Sequence, residues 1–577
     1  MKPKNFFLKP ASPSQRRYEA LRLFYAEGIS SQEAARKMDF SPAYFKKLRV
    51  EFARALKDGS NPFFPEKKTG PKKRFTDVAV IEKIIALRKQ NHSIGDIKAV
   101  LAAGGVSLSL DAIDKILKAE GFAPLPKRTR LERMAAALPA KIAAPQSAAL
   151  EIVDERFTTE RNAGPLVFLP LIESLGIVPA IRAAGFPKTS QLDDVSSVLS
   201  LLALKLLGNE RLSHDTSWNM DRALGLFAGL NVLPKSSTLS SYSYRVSRAS
   251  NRKLLAALSR IFKDTEAEAG DFNLDFKAIP HWGDASVLEK NWCGARSKAM
   301  KSILSMIVQD PATGYVSYTD AQVRHRNQND AVIEFVDFWK DGRGAAPKML
   351  IFDSRFTSYA HLSRLNGDGI KFLTIRRRGK QLVGQVAAIP DEQWLKVKVE
   401  GEKRRQQALR VHDSPCKLRH YEGEVRQLIL TGNGRQQPTF MITNDFDMPA
   451  RDLVKKYARR WLVEQEIAEQ IAFFHLNQPS SSIVVKVDFD LTLSLLAHNL
   501  YRVLTGKLPG FERSNVQTVY RNFLENGAAV RIENNSIEVQ LRKKTHLPLL
   551  FEAPWMNQET RLSWLGVTIK FSPATTS

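Results

Sequence analysis

The sequence predicts a multidomain α+β protein. Its 577 residues exceed the length of an ordinary single domain, and an apolar fraction of 43% with 25% charged residues is typical of folded chains. Helical periodicity fills the front of the chain and a Leu-rich middle region, whereas apolar and polar residues alternate from residue 271 onward, as they do in strands. We therefore expect N-terminal helical units, a helical middle region and an α/β core.

The charge of the chain is far from balanced. Its formal net charge is +26, and residues 1–150 contain 29 basic and 14 acidic side chains. A polyanion favours such a surface because binding releases condensed counterions, whereas an enzyme of small metabolites gains nothing from the self-repulsion. This charge predicts a nucleic-acid-binding segment at the front of the chain, followed by a more balanced body.

Residues 1–60 contain three predicted helices that resemble a helix-turn-helix DNA-binding domain. Gly28 is placed to end the first helix, Ser30 or Ser31 to cap the second, and Pro42 to begin the third. The third helix would enter the major groove of DNA. It bears Tyr44, Lys46, Lys47 and Arg49. A small helical bundle with a basic outer surface is the alternative interpretation.

Composition divides the residues that follow. Residues 61–76 form a basic linker, residues 77–125 repeat the pattern of short helices as a second helix-turn-helix-like domain, and residues 126–160 form an Ala/Pro-rich linker. Two such units in tandem favour DNA binding more than either does alone. We expect a helical domain at residues 161–270, in which the sequence shows no chemistry, and a separate C-terminal region at residues 506–577.

Residues 271–505 predict strands and helices in an informative order. FNLDFKAI alternates as a half-buried strand, and SILSMIVQ and YVSYTDAQV flank the turn DPATG as a hairpin. A helix (AVIEFVDFWKDG), an apolar strand (KMLIFD), a short helix and another strand (IKFLTI) follow. This is the element order of an RNase-H-like α/β catalytic core. Residues 376–438 are predicted as a β-rich insertion, after which TFMITND is a strand and YARRWLVEQEIAEQIAFFH a helix.

Three acidic residues stand where such a core would bring them together. Asp275 lies in the first strand, Asp353 ends the apolar strand, and Glu464 lies on the helix after the insertion. Three carboxylates at one edge repel one another and require a divalent cation, and their oxygen atoms favour Mg²⁺ or Mn²⁺. Two such ions can activate a water or a 3′-hydroxyl for phosphoryl transfer. Asp284, in the loop after the first strand, is the alternative first residue.

Each acid also has a purely structural explanation. Asp353 can cap the following turn, and Asp275 can pair with Lys277 or lie exposed at an edge. Glu464 can bridge to Arg460 one helical turn earlier, which stabilises a helix by only a few tenths of a kcal/mol. Their shared placement at one edge of the predicted core leads us to favour the catalytic explanation.

A family resemblance adds to this interpretation. The chain resembles cut-and-paste insertion-sequence transposases of the DDE class, in the branch whose helix signature is Tyr, Arg, Glu and Lys at fixed spacing. Tyr457, Arg460 and Glu464 match that spacing, and the segments around LDFKAIP and LIFDSRFTSYAHL look like those that carry the family's two Asp residues. The resemblance covers roughly residues 271–505. It implies that Asp275, Asp353 and Glu464 bind the catalytic Mg²⁺ or Mn²⁺.

The resemblance also implies contacts with DNA near the cleaved end. Tyr457 and Arg460 would hold a phosphate or a displaced base. The Lys of the signature is replaced by Ile471, so its contact is absent or comes from another residue such as Lys486. This replacement weakens the expectation of a hairpin-forming mechanism and leaves the three acids unaffected.

The resulting functional prediction is a DNA transposase that binds the ends of its own insertion element and catalyses metal-dependent cleavage and strand transfer. Its partners would be the terminal repeats and the target DNA, with a homodimer in the DNA complex. Arg376 and Arg377, which leave the last core strand, would grip the DNA backbone or form a solvated loop. A non-catalytic DNA-binding protein derived from a transposase is the alternative function.

The sequence also predicts where the protein acts. Cys293 and Cys416 are its only cysteines, and the N-terminus lacks the apolar segment of a signal peptide. The longest apolar run, at 195–208, is too short and too polar to span a bilayer. We therefore expect a cytoplasmic protein, nucleoid-associated if it is bacterial, with no membrane partner.

Overall fold

The structure is a computed structural model that divides into two compact units, Met1–Phe75 and Thr76–Ser577. The side chains of 78, 399–400, 406–407 and 461–471 are not described. The described residues are 12–58, 63, 77–90, 92–125, 154–189, 192–210, 212, 218, 220–262, 270–281, 288–293, 296–400, 406–432, 437–476 and 482–574.

The first unit contains three helices: α1 (Pro13–Tyr25), α2 (Ser31–Lys37) and α3 (Pro42–Lys57). Each follows a serine whose hydroxyl accepts a backbone N–H of the first turn, which satisfies a donor that the helix leaves unpaired. The cap of α2 is Ser30, one of the two predicted serines. Leu21, Ala35 and Phe45 pack together in the small apolar core of this unit.

The second group of helices belongs to the large unit: α4 (Val78–Lys89), α5 (Ile94–Ala103) and α6 (Leu110–Ala119). Their apolar core continues into Val485. The carbonyl of Glu120 accepts the backbone N–H of Val484 at 3.1 Å. Gly121 has a φ of +81°, and a Cβ there would lie 2.1 Å from the carbonyl oxygen of Ser482. These helices are therefore docked on the body of the protein.

Strand β1 (Glu155–Thr159) precedes a helical middle region. The Leu-rich run at 195–208 falls mainly in the helix Asp194–Leu206. This helix is buried on nearly all sides, so it belongs to the core. Among the described residues no single helix could cross a membrane, although the bent pair Gly164–Ser174 and Ile177–Ala184 has the required length and composition. The helices are α7 (Leu169–Ser174), α8 (Ile177–Ala184), α9 (Asp194–Leu206), α10 (Arg222–Phe227), α11 (Ser236–Ser243) and α12 (Arg248–Ile261).

The central sheet begins with six strands: β2 (Asp271–Pro280), β3 (Lys290–Cys293), β4 (Lys298–Gln309), β5 (Val316–Val323), β6 (Met349–Phe352) and β7 (Lys371–Ile375). Strand β2 lies in the middle, antiparallel to β4 and parallel to β6. Strand β5 pairs antiparallel with β4, and β7 pairs parallel with β6. Helices α13 (Ala331–Arg343) and α14 (Tyr359–Gly367) connect β5 to β6 and β6 to β7, in the predicted order.

The predicted β-rich insertion extends this same sheet. After helix α15 (Lys380–Val386) come β8 (Leu395–Glu400), β9 (Gln406–Cys416), β10 (Val425–Thr431) and β11 (Thr439–Thr443). Strand β11 pairs antiparallel with β7 on one side and with β10 on the other. The sheet order is therefore β3-β4-β2-β6-β7-β11-β10-β9-β8, with β5 also on β4.

Two long helices follow, α16 (Ala450–Phe473) and α17 (Val484–Thr505). Leu453 and Val454 of α16 pack in one apolar cluster with Ile351 and Leu373, so α16 covers the sheet face to which these two residues point. The C-terminal residues form a second sheet, in which β1 pairs with the first strand after α17. Its elements are α18 (Val516–Val519), β12 (Ala528–Glu533), β13 (Ser536–Leu541), α19 (Leu547–Leu550), β14 (Thr560–Leu562) and β15 (Val567–Pro573).

Candidate active site

The pairing of β2 with β6 brings two of the predicted acids together. Leu274 is in register with Phe352, so the next residues along these parallel strands are Asp275 and Asp353. Neighbouring strands lie about 4.8 Å apart, and residues at the same register of a parallel pair point to the same face. Asp275 therefore lies on the face that α16 covers, and Asp353 begins the turn next to it, where β6 ends.

The opposite face holds the ends of these strands in place. The rings of Phe276 and Phe356 stack with centroids 3.7 Å apart and planes within 9° of parallel. The first ring follows Asp275 in the chain and the second lies in the turn after Asp353. This stack fixes the turn against β2, and with it the spacing of the two carboxylates.

Asp353 also stabilises its own turn. Its Oδ1 accepts the backbone N–H of Arg355 at 2.8 Å, which is the structural explanation that the sequence offered. A carboxylate has two oxygen atoms and about four acceptor positions, so this bond leaves capacity for a further ligand. The turn bond orients the Asp353 carboxylate and is compatible with a catalytic role.

Helix α16 places basic side chains against β2. Lys456 forms an ion pair with Asp271, and Nη1 of Arg460 lies 3.7 Å from Oδ1 of Asp275. The Arg460 guanidinium also lies 5.3 Å from the centre of the Tyr457 ring. Arg460 is 7% exposed, whereas the Asp275 side chain is 33% exposed. The helix therefore runs along β2 and reaches Asp275 at Arg460.

Glu464 lies in α16 one turn after Arg460, about 6 Å further along the helix axis. Its side chain is outside those that the structure describes, and so is the whole of Asp284. Among the described side chains, no group of three or more His, Cys, Asp and Glu residues could hold a metal ion. The described part of the predicted triad is thus the pair Asp275 and Asp353.

The residues present fit a divalent cation of the predicted kind. Asp275 and Asp353 offer neighbouring carboxylate oxygens, the ligand type that Mg²⁺ and Mn²⁺ prefer, and both side chains are partly exposed. Arg460 provides positive charge beside Asp275 and compensates part of the repulsion between the two acids.

The two arginines after β7 have different surroundings. Arg376 donates from Nη1 to Oε1 of Gln427 at 2.7 Å, so its side chain points toward the insertion. Arg377 donates from Nε to the carbonyl oxygen of Ser354 at 3.3 Å, beside the Asp353 turn. Arg377 is therefore the member of this pair that lies next to the acids.

The basic residues of α3 also divide into two groups. Lys46 and Lys47 are exposed, and Lys47 lies 3.9 Å from Glu51 one turn later. Arg49 lies with its guanidinium 3.7 Å from the centre of the Phe24 ring and donates to the Ser31 hydroxyl at 3.4 Å. Arg49 thus stabilises the packing of the three helices, while the two lysines face solvent.

The contacts between α16 and β2 were not predicted from the sequence. Asp271 and Asp275 lie four residues apart on the same face of β2, and Lys456 and Arg460 lie four residues, about one turn, apart on α16. This matched spacing of two acids and two bases was a readable signal. Lys486, considered as a substitute phosphate ligand, is buried and donates to the Ser240 hydroxyl at 3.1 Å.

Comparison with known proteins agrees with this arrangement. Residues 284–500 match the sequence profile of the family described as Transposase DDE domain. The matched range contains Asp353, Glu464 and Asp284, and it begins after β2, so Asp275 lies outside it. No curated protein matches the chain at a significant level. Over residues 284–500 the chain therefore carries a transposase DDE domain.

Proposed function

We propose that the protein binds the terminal repeats of its own insertion element and catalyses divalent-metal-dependent cleavage and strand transfer of DNA. The strand order around β2, with three antiparallel strands followed by two parallel ones, supports an RNase-H-like catalytic core. The observation that carries the proposal is the position of Asp275 beside Asp353 under α16. The net charge of +26 supports a DNA substrate.

The catalytic residues in this proposal are Asp275, Asp353 and Glu464, which would hold Mg²⁺ or Mn²⁺. When bound, the cations supply activation of the attacking hydroxyl and stabilisation of the leaving oxygen. Arg460 holds Asp275 in place from the buried side, and Tyr457 packs beside it. Glu464 would complete the set, in accordance with the helix signature of the proposed branch.

Further parts of the proposal concern the partners. Arg377, beside the Asp353 turn, would contact the DNA backbone, and the exposed Lys46 and Lys47 of α3 would contact the terminal repeat. The protein would act as a homodimer, because two element ends must be held together during transposition. It would act in the cytoplasm, associated with the nucleoid if it is bacterial.

Cleavage of a supercoiled plasmid that carries the element ends tests this function. The wild-type protein should nick and linearise the plasmid with Mg²⁺ and be inactive with EDTA. Asp353→Asn should abolish cleavage, while Asp341→Asn, an exposed acid at the end of α13, should cleave as wild type does. Cleavage by Asp353→Asn at the wild-type rate would refute the enzyme and favour the non-catalytic DNA-binding alternative.

A further inference from the structure

A cleft of about 1260 Å³ lies where the docked helices meet the body of the protein. One side is lined by α4, including Lys83 and Lys89, and by residues from 122 to 125. The opposite wall is the segment 241–248, between α11 and α12, with residues 483–485 at its base. All of these segments belong to the large unit.

The walls of this cleft are strongly basic. Five of the lining residues are Lys or Arg, and the one acidic lining residue, Glu82, accepts the backbone N–H of Ala249. Arg88 donates to two backbone carbonyls, and Arg248 is paired with Glu120. The remaining cations line the cleft without a carboxylate partner among the described residues: Lys83, Lys89 and Arg245.

Lys89 has an electrostatic reason to favour an anion. Burial lowers the pKa of its ammonium group to about 8, and the nearby Lys486 lowers it further, although Glu120 and Glu82 act in the opposite direction. Lys486 is itself buried, and its ammonium lies 4.3 Å from the centre of the Tyr244 ring. An anion in the cleft would compensate this repulsion between two lysines.

The outer surface of the same helical group has a different character. By analogy with helix-turn-helix domains, α6 would be the groove reader. Its exposed charges pair within the helix, Asp111 with Lys115 at 2.5 Å and Asp114 with Lys118 at 2.7 Å. Residues 77–125 contain as many acidic as basic side chains, and three of the basic ones, Lys83, Arg88 and Lys89, lie on α4 and line the cleft.

We propose that this cleft binds the phosphodiester backbone of DNA, so that the second helical group contacts DNA through α4 and the 241–248 segment. The proposal rests on the proposed function, since it adds a second DNA-contacting surface to a transposase. A run of phosphates suits the cleft because its three available cations come from two separate lining segments, α4 and 241–248.

The first test is the salt dependence of binding, measured by fluorescence anisotropy with the full chain and a labelled DNA duplex of mixed sequence. The triple variant Lys83→Gln, Lys89→Gln, Arg245→Gln should lower the slope of log affinity against log salt by about 0.9 per lost phosphate contact. Its loss of affinity relative to wild type should then be about 40-fold greater at 50 mM than at 200 mM salt. The charge-matched control is Lys98→Gln, Lys115→Gln, Lys118→Gln, which are exposed lysines on α5 and α6.

A second test uses the wild-type protein and does not depend on the folding of a variant. Acetylation at about pH 8 should modify Lys89 readily, because about half of its ammonium groups are then deprotonated. Mass spectrometry should show protection of Lys83 and Lys89 when the same duplex is present, and no protection of Lys115. Equal slopes for the two triple variants, or labelling of Lys89 that DNA does not change, would overturn the proposal.

The two proposals fail independently. Wild-type binding slopes in the cleft variant, together with loss of cleavage in Asp353→Asn, would refute only the DNA-binding cleft. A reduced slope in the cleft variant, together with wild-type cleavage by Asp353→Asn, would refute only the catalytic assignment.

Discussion

The buried ion pair between Glu120 and Arg248 holds the docked helices on the body, and removing its acidic partner should loosen them. The two side chains are 1% and 3% exposed. Breaking such a pair from one side costs about 3–5 kcal/mol, because the remaining charge stays buried. Asp320 and Asp488 also interact with Arg248, so we expect the lower end of that range for Glu120→Gln. At about 1.4 kcal/mol per tenfold change, opening of α4–α6 should become about 100-fold more frequent.

Hydrogen exchange measured by mass spectrometry detects this opening directly. In Glu120→Gln, amides of α5 and α6 that exchange through opening should exchange about 100-fold faster than in wild type. The control is Asp111→Asn, which breaks the exposed pair with Lys115 on the same helix and should cost less than about 1 kcal/mol. If the exchange rates of α5 and α6 in Glu120→Gln stay within a few-fold of wild type, the Glu120–Arg248 ion pair does not hold the docked helices on the body.

Two further predictions concern α17 and α16. Burial, reinforced by Asp320, raises the pKa of Asp488 to about 6. Between about pH 4 and pH 6 the folded chain therefore keeps a proton that the unfolded chain has lost. The contribution of Asp488 to the free energy of unfolding falls as pH rises through this range. Asp320→Asn should reduce that fall. The urea midpoint at about pH 7 minus the midpoint at about pH 4 should then be more positive in Asp320→Asn than in wild type, and an unchanged value would contradict the coupling. Arg460→Gln should slow plasmid cleavage at least tenfold and leave the salt slope of DNA binding unchanged, because Arg460 contacts Asp275. A slope reduced by about 0.9 would instead identify Arg460 as a phosphate ligand.

The sequence was sufficient for features that depend on neighbouring residues. Alternation in FNLDFKAI predicted β2, and the apolar run KMLIFD predicted β6 with Asp353 directly after it. The cap of the second helix could be predicted because a serine hydroxyl just before a helix accepts a backbone N–H of its first turn, which is a local interaction. Asp275 and Asp353 were proposed as neighbours from element order alone, and the register of β2 and β6, whose last pair is Leu274 and Phe352, agrees with that proposal.

The features that the sequence left open depend on contacts between distant segments. Residues 155–159 fall within the predicted linker, yet they form β1 because β12, far along the chain, offers them a strand to pair with. Arg460 also lies beside Asp275 on β2, a contact that was not predicted from the sequence. Nothing local indicates the pairing of β1 with β12, and the matched spacing of acids on β2 and bases on α16 becomes informative only once these two elements are known to pack together.

The central claim is that Asp275, Asp353 and Glu464 together hold a divalent cation, and Mn²⁺ binding followed by electron paramagnetic resonance tests it most directly. Asp275→Asn, Asp353→Asn and Glu464→Gln should each weaken Mn²⁺ binding at least tenfold, while Asp284→Asn and the exposed Asp341→Asn should bind as wild type does. Wild-type Mn²⁺ affinity in Asp353→Asn would contradict the claim, and loss of binding in Asp284→Asn but not in Asp275→Asn would move the first ligand to the loop after β2.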